Sequence, residues 1–371
     1  WDDGFEQNAG FYTNDTARTR FRFKGSAKVT EDVKAGYLLE IGVRTANSKR
    51  FTQDDPLALG DSGLDLRHSA WFLESKSLGT VWVGQTNPAG EGITEINLAQ
   101  TKDAGKYSDI EDSALGLNIR FLNGNFGVRD NNGATEAVSL RRLIGHSGDQ
   151  PGDAERGAIV KYVSPELAGF TVTADWGGDD YWDAGLGYKG EMGGFKLAMG
   201  IAYGEESSAD DDFGIIDSCM TDDGLAEGLG SDAKCREVGG SLSVMHVPTG
   251  LYLNFGAGWK DDELIDKPGL FTPTGVGADP DSTFWALEGG IEQKFIPIGK
   301  TTFFGQYYDY DGGSNDNRRL SFTGNAADQE RIANSEVQMY GGGIVQGVDA
   351  AGMLLYAFYR HYEFDVSLIE G

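Results

Sequence analysis

The dominant pattern along the chain is alternation with a period of two. In Thr16 to Lys24, Arg18, Arg20, Arg22 and Lys24 fall on one face, and Thr19, Phe21 and Phe23 on the other. Successive side chains of a strand point to opposite sides, so this segment predicts a strand with one basic and one apolar face. After a turn at 31–33, Tyr37, Leu39, Ile41 and Val43 alternate with Gly36, Leu38, Glu40, Gly42 and Arg44. That predicts a hairpin. The same alternation returns at 170–176, 195–203, 251–260 and 285–292. Each run is about ten residues, the length a tilted strand needs to cross a bilayer.

About 14 such strands are readable between Thr16 and Val366. Their connections alternate in length. Short ones fall at 31–33, 76–78, 166–169, 191–194, 248–250, 297–300 and 349–352. Between them lie long polar ones at 45–65, 86–155, 205–234, 261–281 and 311–334, with 177–180 as a short exception. This is the signature of an up-and-down antiparallel meander whose two ends face different environments. No helix-period segment and no domain boundary interrupts it, so residues 1–371 read as one all-β barrel domain. On every strand one face is apolar and the other polar or Gly, which predicts a polar lumen rather than a solid apolar core. Trp176, Tyr181, Trp182, Tyr203, Trp259, Trp285, Tyr308 and Tyr310 recur near strand ends, where interfacial aromatic girdles would lie.

Composition narrows the picture. The chain has 55 Gly against 9 Pro, which suits many tight turns and excludes collagen. A net charge of −27 excludes nucleic acid as a partner, since phosphate binding needs clustered Lys and Arg. No apolar run reaches the roughly 20 residues of a spanning helix, so any membrane crossing is by strands. Cys219 and Cys235 share one polar stretch and suit a disulfide in an oxidising compartment. Catalysis finds no support. Carboxylate pairs carry no specificity among 58 Asp and Glu, and the four His are scattered. No cofactor is expected. The calcium-loop likeness of 311–316 lacks its downstream Glu; Ca2+ on the acidic outer loops, bridging lipopolysaccharide, is the one metal option left.

Several strings carry a resemblance. "AIVKYVSPELAGFTVTADWG" (Ala158–Gly177) resembles the strand–turn–strand of Gram-negative general porins, with its Tyr-x-Ser-Pro turn leading into a Gly-Phe strand. "TRFRFKGSAKVTEDVKAGYLLEIGV" (Thr19–Val43), "RHSAWFLESKSLGTVWVGQTN" (Arg67–Asn87), "SVMHVPTGLYLNFGAGW" (Ser243–Trp259), "FIPIGKTTFFGQYYDYD" (Phe295–Asp311) and "YRHYEFDV" (Tyr359–Val366) are similar to porins of α-proteobacteria. The resemblance is collinear over most of the chain. It implies a 16-stranded, homotrimeric outer-membrane barrel in a Gram-negative bacterium, its partners being outer-membrane lipid and small hydrophilic solutes. Such porins end on an aromatic residue, whereas this chain ends Leu368-Ile369-Glu370-Gly371, and Trp1–Gly4 stands where a first strand should finish. A further strand at each end, outside the sequence, would raise 14 to the even number 16.

Charge separation supplies the candidate site. Lys or Arg facing lipid near the midplane costs about 2–4 kcal/mol, so Arg18, Arg20, Arg22 and Lys24 are expected to line the lumen, with Arg44 beside them. The longest connection, 86–155, is the natural inward-folded loop. Its first half holds Glu91, Glu95, Asp103, Asp109, Glu111 and Asp112. In the family, such a loop sets carboxylates opposite a basic wall, giving a transverse field. The expected function is passive diffusion of small hydrophilic solutes and ions with a weak cation preference. The rivals are a substrate-specific, anion-preferring channel using the Arg18–Lys24 track, a barrel enzyme, and a soluble secreted binding protein.

Overall fold

The computed structural model describes residues 10, 12–45, 48–49, 51–53, 63–113, 116–121, 123–131, 134–144, 150–178, 180–207, 216, 234–263, 279–312, 320–321 and 330–370. Seventeen strands follow in chain order among these residues: β1 (Arg20–Lys28), β2 (Val33–Arg44), β3 (Gly63–Ser75), β4 (Gly79–Thr86), β5 (Val128–Asn131), β6 (Ala134–Ala137), β7 (Gly157–Val163), β8 (Phe170–Trp176), β9 (Trp182–Met192), β10 (Phe195–Ser207), β11 (Lys234–His246), β12 (Leu251–Asp262), β13 (Asp281–Ile296), β14 (Gly299–Gly312), β15 (Leu320–Ser321), β16 (Glu330–Val348) and β17 (Met353–Glu370). Setting aside the short β5, β6 and β15 leaves fourteen, each antiparallel to its predecessor. The alternating short and long connections fall where the sequence places them. β5, β6 and β15 pair into a small appendage beside β16.

Local chemistry sets the strand starts. The first strand begins later than the alternation suggests. Asn14 caps a 3-10 turn at Asp15–Ala17 by accepting from the Thr16 N–H at 3.0 Å, and Asp15 pairs with Arg18 at 2.7 Å. Arg18 therefore precedes β1 rather than lying in it. Asn14 also donates to the Tyr356 hydroxyl of β17 at 2.6 Å, which brings the two ends of the meander to the same place.

The two faces of the sheet differ as alternation requires. On β12, Leu251, Leu253 and Phe255 are exposed outward, and Tyr252, Asn254 and Gly256 between them are buried. The outer face carries a belt of exposed apolar groups, among them Phe21, Phe23, Trp71, Val172, Trp285 and Tyr359. A face this apolar suits hydrocarbon.

The inner face corrects one expectation. It is not polar on every strand. Phe284 and Ala286 of β13, Tyr308 and Tyr310 of β14, and Val337 and Met339 of β16 all turn inward and are buried. Tyr107, Ile110, Ile119, Val138, Leu143 and Ile144 of the connection between β4 and β7 pack against them. Tyr181, Tyr308 and Tyr310 are thus not girdle residues, whereas Trp176, Trp182 and Trp285 are exposed on the outer face. Strand parity decides this. Tyr308 and Tyr310 share a face with Gln306, and Trp285 shares one with Leu287.

The same connection needs room along β10, β11 and β12, and glycines make it. A Cβ on Gly239 would meet the Gly152 carbonyl oxygen at 2.0 Å, and one on Gly258 would meet the Pro151 oxygen at 1.9 Å. Gly152 itself has φ of +85° and lies with its backbone directly on β11. Replacing Gly239 by Val forces these backbones apart. We expect a loss of about 1–3 kcal/mol, the usual range for overpacking. It should be read as an earlier thermal loss of the sheet signal in circular dichroism, with faster proteolysis inside 86–155.

Candidate functional site

The connection between β4 and β7 runs along the inner face, and wall side chains hold its backbone. The Ala89 and Gly90 N–H groups donate to Asp175 of β8 at 2.8 Å and Asp183 of β9 at 2.6 Å. Ile96 and Leu98 donate to the hydroxyls of Ser241 and Ser243 on β11, both at 3.0 Å. Gln100 donates to Glu292 of β13 at 2.8 Å, and Gly152 to Glu237 of β11 at 3.0 Å. Farther along, Gln306, Arg360 and Tyr362 donate to the carbonyl oxygens of Gly105, Lys106 and Ser113. An irregular segment away from bulk water needs partners for its main-chain groups, and the wall provides them.

Held this way, the loop faces the segment before β1 (Asp15, Thr16 and Arg18), Lys49 and Arg67 of β3 across a cavity of about 110 Å³. From the predicted sites, Arg18 on one side and Glu91, Glu95, Asp109, Glu111 and Asp112 on the other all line it. Asp103 does not. It is exposed, in the 3-10 turn Gln100–Asp103. Lys24 is also off the cavity, with its ammonium 5.9 Å from the Phe72 ring centre. Arg44 joins Arg18 through Asp65, which accepts from them at 3.3 Å and 2.5 Å. Arg20 and Arg22 pair with Glu40 of β2, which also accepts from Arg67 Nε at 2.9 Å. Sequence reasoning missed Arg67, Lys106 and Arg156, which line the cavity too. A signal existed for Arg67, since Asp65 and Arg67 alternate with the outward Leu64 and Leu66.

The loop side is crowded with acid. Lys106 serves Glu95 at 2.7 Å, Asp109 at 2.5 Å and Asp112 at 3.7 Å. Lys49 pairs with Glu111, and Arg156 with Glu91. Burial works against the Lys106 ammonium, but Asp109, Glu95 and Asp112 outweigh it and hold its pKa above the ordinary lysine value. Burial pushes Glu95 up to about 8 despite Lys106, with Asp109 adding to the rise. Burial and the neighbouring Asp109 push Asp112 up to about 7. For Asp109 burial is overcome by Lys106 and Lys49, and its carboxyl sits below the usual range.

A family model described as Gram-negative porin matches residues 1–367. The chain belongs to the Gram-negative porins. No curated protein matches it in sequence. Among solved structures it is similar to the loop L8 deletion mutant of OmpT, an outer membrane protein of Vibrio cholerae. That match has 11% identity over 93% of this chain and 85% of the other, with a TM-score of 0.48. It is also similar to the anion-selective porin from Comamonas acidovorans, at 12% identity over 96% and 90% with a TM-score of 0.45. A third similar structure is Salmonella typhi OmpF in complex with daunomycin, at 10% identity over 92% and 89% with a TM-score of 0.43.

Membership places the porin in the outer membrane as a channel for small solutes, not an enzyme. Cys235 is buried at the start of β11, whereas Cys219 lies outside the described residues, as does most of the acidic outer-loop sequence considered for Ca2+. One consequence of the acid crowding is measurable. Groups with raised pKa are neutral below it and charged above it. Raising pH through about 7 and about 8 ionises Asp112 and then Glu95, adding negative charge to the cavity. The reversal potential in a salt gradient should shift toward cation preference across that range, and Glu95→Gln with Asp112→Asn should reduce the shift, Asp153 being a further buried acid of the lining with a raised pKa.

Proposed function

We propose that the porin is a single-domain diffusion channel of the general type for small hydrophilic solutes and ions, with a modest preference for cations, assembled as a homotrimer. The α-proteobacterial likeness of its strand strings belongs to the same reading. The observation that carries it is the cavity between Arg18 and Arg67 on one side and Glu91, Glu95, Asp109 and Asp112 on the other. In this reading that cavity is the constriction, and its acids together with the net charge of −27 draw cations inward. At about 0.1 M salt the Debye length is about 10 Å, so only charges at the constriction still count there. Selectivity is therefore weaker at high salt.

One observation favours the anion-preferring alternative. Arg20, Arg22 and Arg67 share a single carboxylate, Glu40, and leave net positive charge on that wall. The double variant Arg20→Ala, Arg22→Ala separates the readings. Removing both charges should move reversal potentials further toward cations and raise single-channel conductance slightly; unchanged potentials would mean that these arginines do not face the permeating ions. Two structural parts of the proposal have their own checks. Light scattering in detergent should return the mass of three copies. Mass spectrometry of unreduced protein should find Cys219 joined to Cys235, a bond whose loop-closure stabilisation is about 3 kcal/mol.

A further inference from the structure

The two sides of the cavity are mismatched in opposite senses. On the wall, three guanidiniums converge on one carboxylate, Glu40: Arg67, which lines the cavity, and Arg20 and Arg22, which lie outside its lining. On the loop, three carboxylates (Glu95, Asp109 and Asp112) converge on one ammonium, Lys106. The wall cluster carries two positive charges more than Glu40 neutralises, while on the loop the acids outnumber Lys106, and Asp112 and Glu95, held up to about 7 and about 8, gain negative charge when a cation approaches them.

Several polar atoms of the residues that line the cavity have no hydrogen-bond partner among the described residues, those of Arg156 and Glu111 being themselves sealed from solvent. Arg67 uses only Nε on Glu40, and its two terminal nitrogens donate to nothing among the described residues although the side chain is largely buried. Its stem lies beside that of Arg18 over Gly42, where a Cβ would meet Arg67 Cδ at 3.2 Å and Arg18 Cδ at 3.3 Å. Arg156, on the same cavity, has a buried Nε without a hydrogen-bond partner. Opposite, the Asp112 carboxylate accepts no hydrogen bond among the described residues, its nearest cation being Lys106 at 3.7 Å. Glu111, with 1% of its side chain exposed, keeps Oε2 without a partner. A buried polar atom left without a partner is costly, and a ligand that satisfies it recovers that cost.

We propose that this cavity is a binding site for a small zwitterion of the α-amino-acid type, held with its carboxylate on Arg67 and its ammonium between Glu95 and Asp112. Planar guanidinium nitrogens match a carboxylate in bidentate fashion, and an ammonium gives three donors to Glu95 and Asp112, whose nearest cation is Lys106. Such a solute brings one charge of each sign to the cluster that lacks it. An anion alone relieves the wall and worsens the loop, and a cation does the reverse. A cavity of about 110 Å³, in which one water needs about 10–15 Å³, admits a small solute of several non-hydrogen atoms. The inference rests on the channel reading for its location and goes beyond it in demanding saturable occupancy.

The test uses the full-length protein in planar bilayers, with L-alanine, lactate and ethylamine as probes. Alanine should reduce single-channel current saturably, at lower concentration than either half-ligand. Arg67→Gln should raise the half-blocking alanine concentration about tenfold or more, the scale of one lost charge-assisted contact. Asp112→Asn should do the same, whereas Asp103→Asn, off the cavity, should leave it unchanged. Calorimetry of wild-type protein in detergent with alanine keeps the site testable without current. Conductance steps with no saturable block and no binding heat overturn the site and leave the channel. Binding heat without any conductance steps overturns the channel and leaves the site. Equal block by all three probes overturns the zwitterion assignment.

Discussion

Everything at the centre of this porin depends on where the connection between β4 and β7 is held. A strand sheet satisfies its own backbone, but a loop lying along the lumen wall has no ladder of its own. Its amides are taken by Asp175, Asp183, Ser241, Ser243, Glu292 and Glu237 from four different strands. The apolar part of the loop adds a second anchor, packing Tyr107, Ile119 and Leu143 on the inward rings of β13 and β14. Hydrogen bonds fix the direction of the loop and burial of rings fixes its side of the barrel. The acids of the cavity face Arg18 and Arg67 only because both anchors hold.

This arrangement explains the glycine content in a way turns alone do not. Tight turns account for part of it, as at Gly169 and Gly250 with positive φ. Gly239, Gly256 and Gly258 sit mid-strand instead. A side chain at any of them would meet the loop's own backbone at Gly152, Thr94 or Pro151.

Much of the fold was legible because alternation over ten residues is a strong signal, which local chemistry overrides only at strand ends. The strand order and the loop lengths were readable for that reason. The acids at Glu91, Glu95, Asp109, Glu111 and Asp112 were legible as a charge run in the longest connection. What stayed hidden was what depends on tertiary contact. Alternation separates two faces of β14 but does not say that Tyr308 and Tyr310 point inward, since an inward aromatic and a girdle aromatic look alike until the loop that covers one of them is placed. Arg18 read as a strand residue because the cap at Asn14 and the pair with Asp15 are contacts between near neighbours that outweigh period-two patterning. Asp103 read as a cavity acid by its company, yet the 3-10 turn faces it to solvent.

The loop's anchors also bear on how the molecule is made. Thr101 bonds Glu288 across 187 positions, Gln306 bonds Gly105 across 201, and Tyr362 bonds Ser113 across 249. Contacts this distant in sequence bring a large closure entropy and form slowly, whereas each hairpin of the meander joins residues a few positions apart. The last partners, on β14 and β17, exist only once nearly the whole chain has been threaded into place. The strap is therefore fastened in stages, first to β8 and β9 and last to β14 and β17, and its full narrowing effect waits on the C-terminal strands.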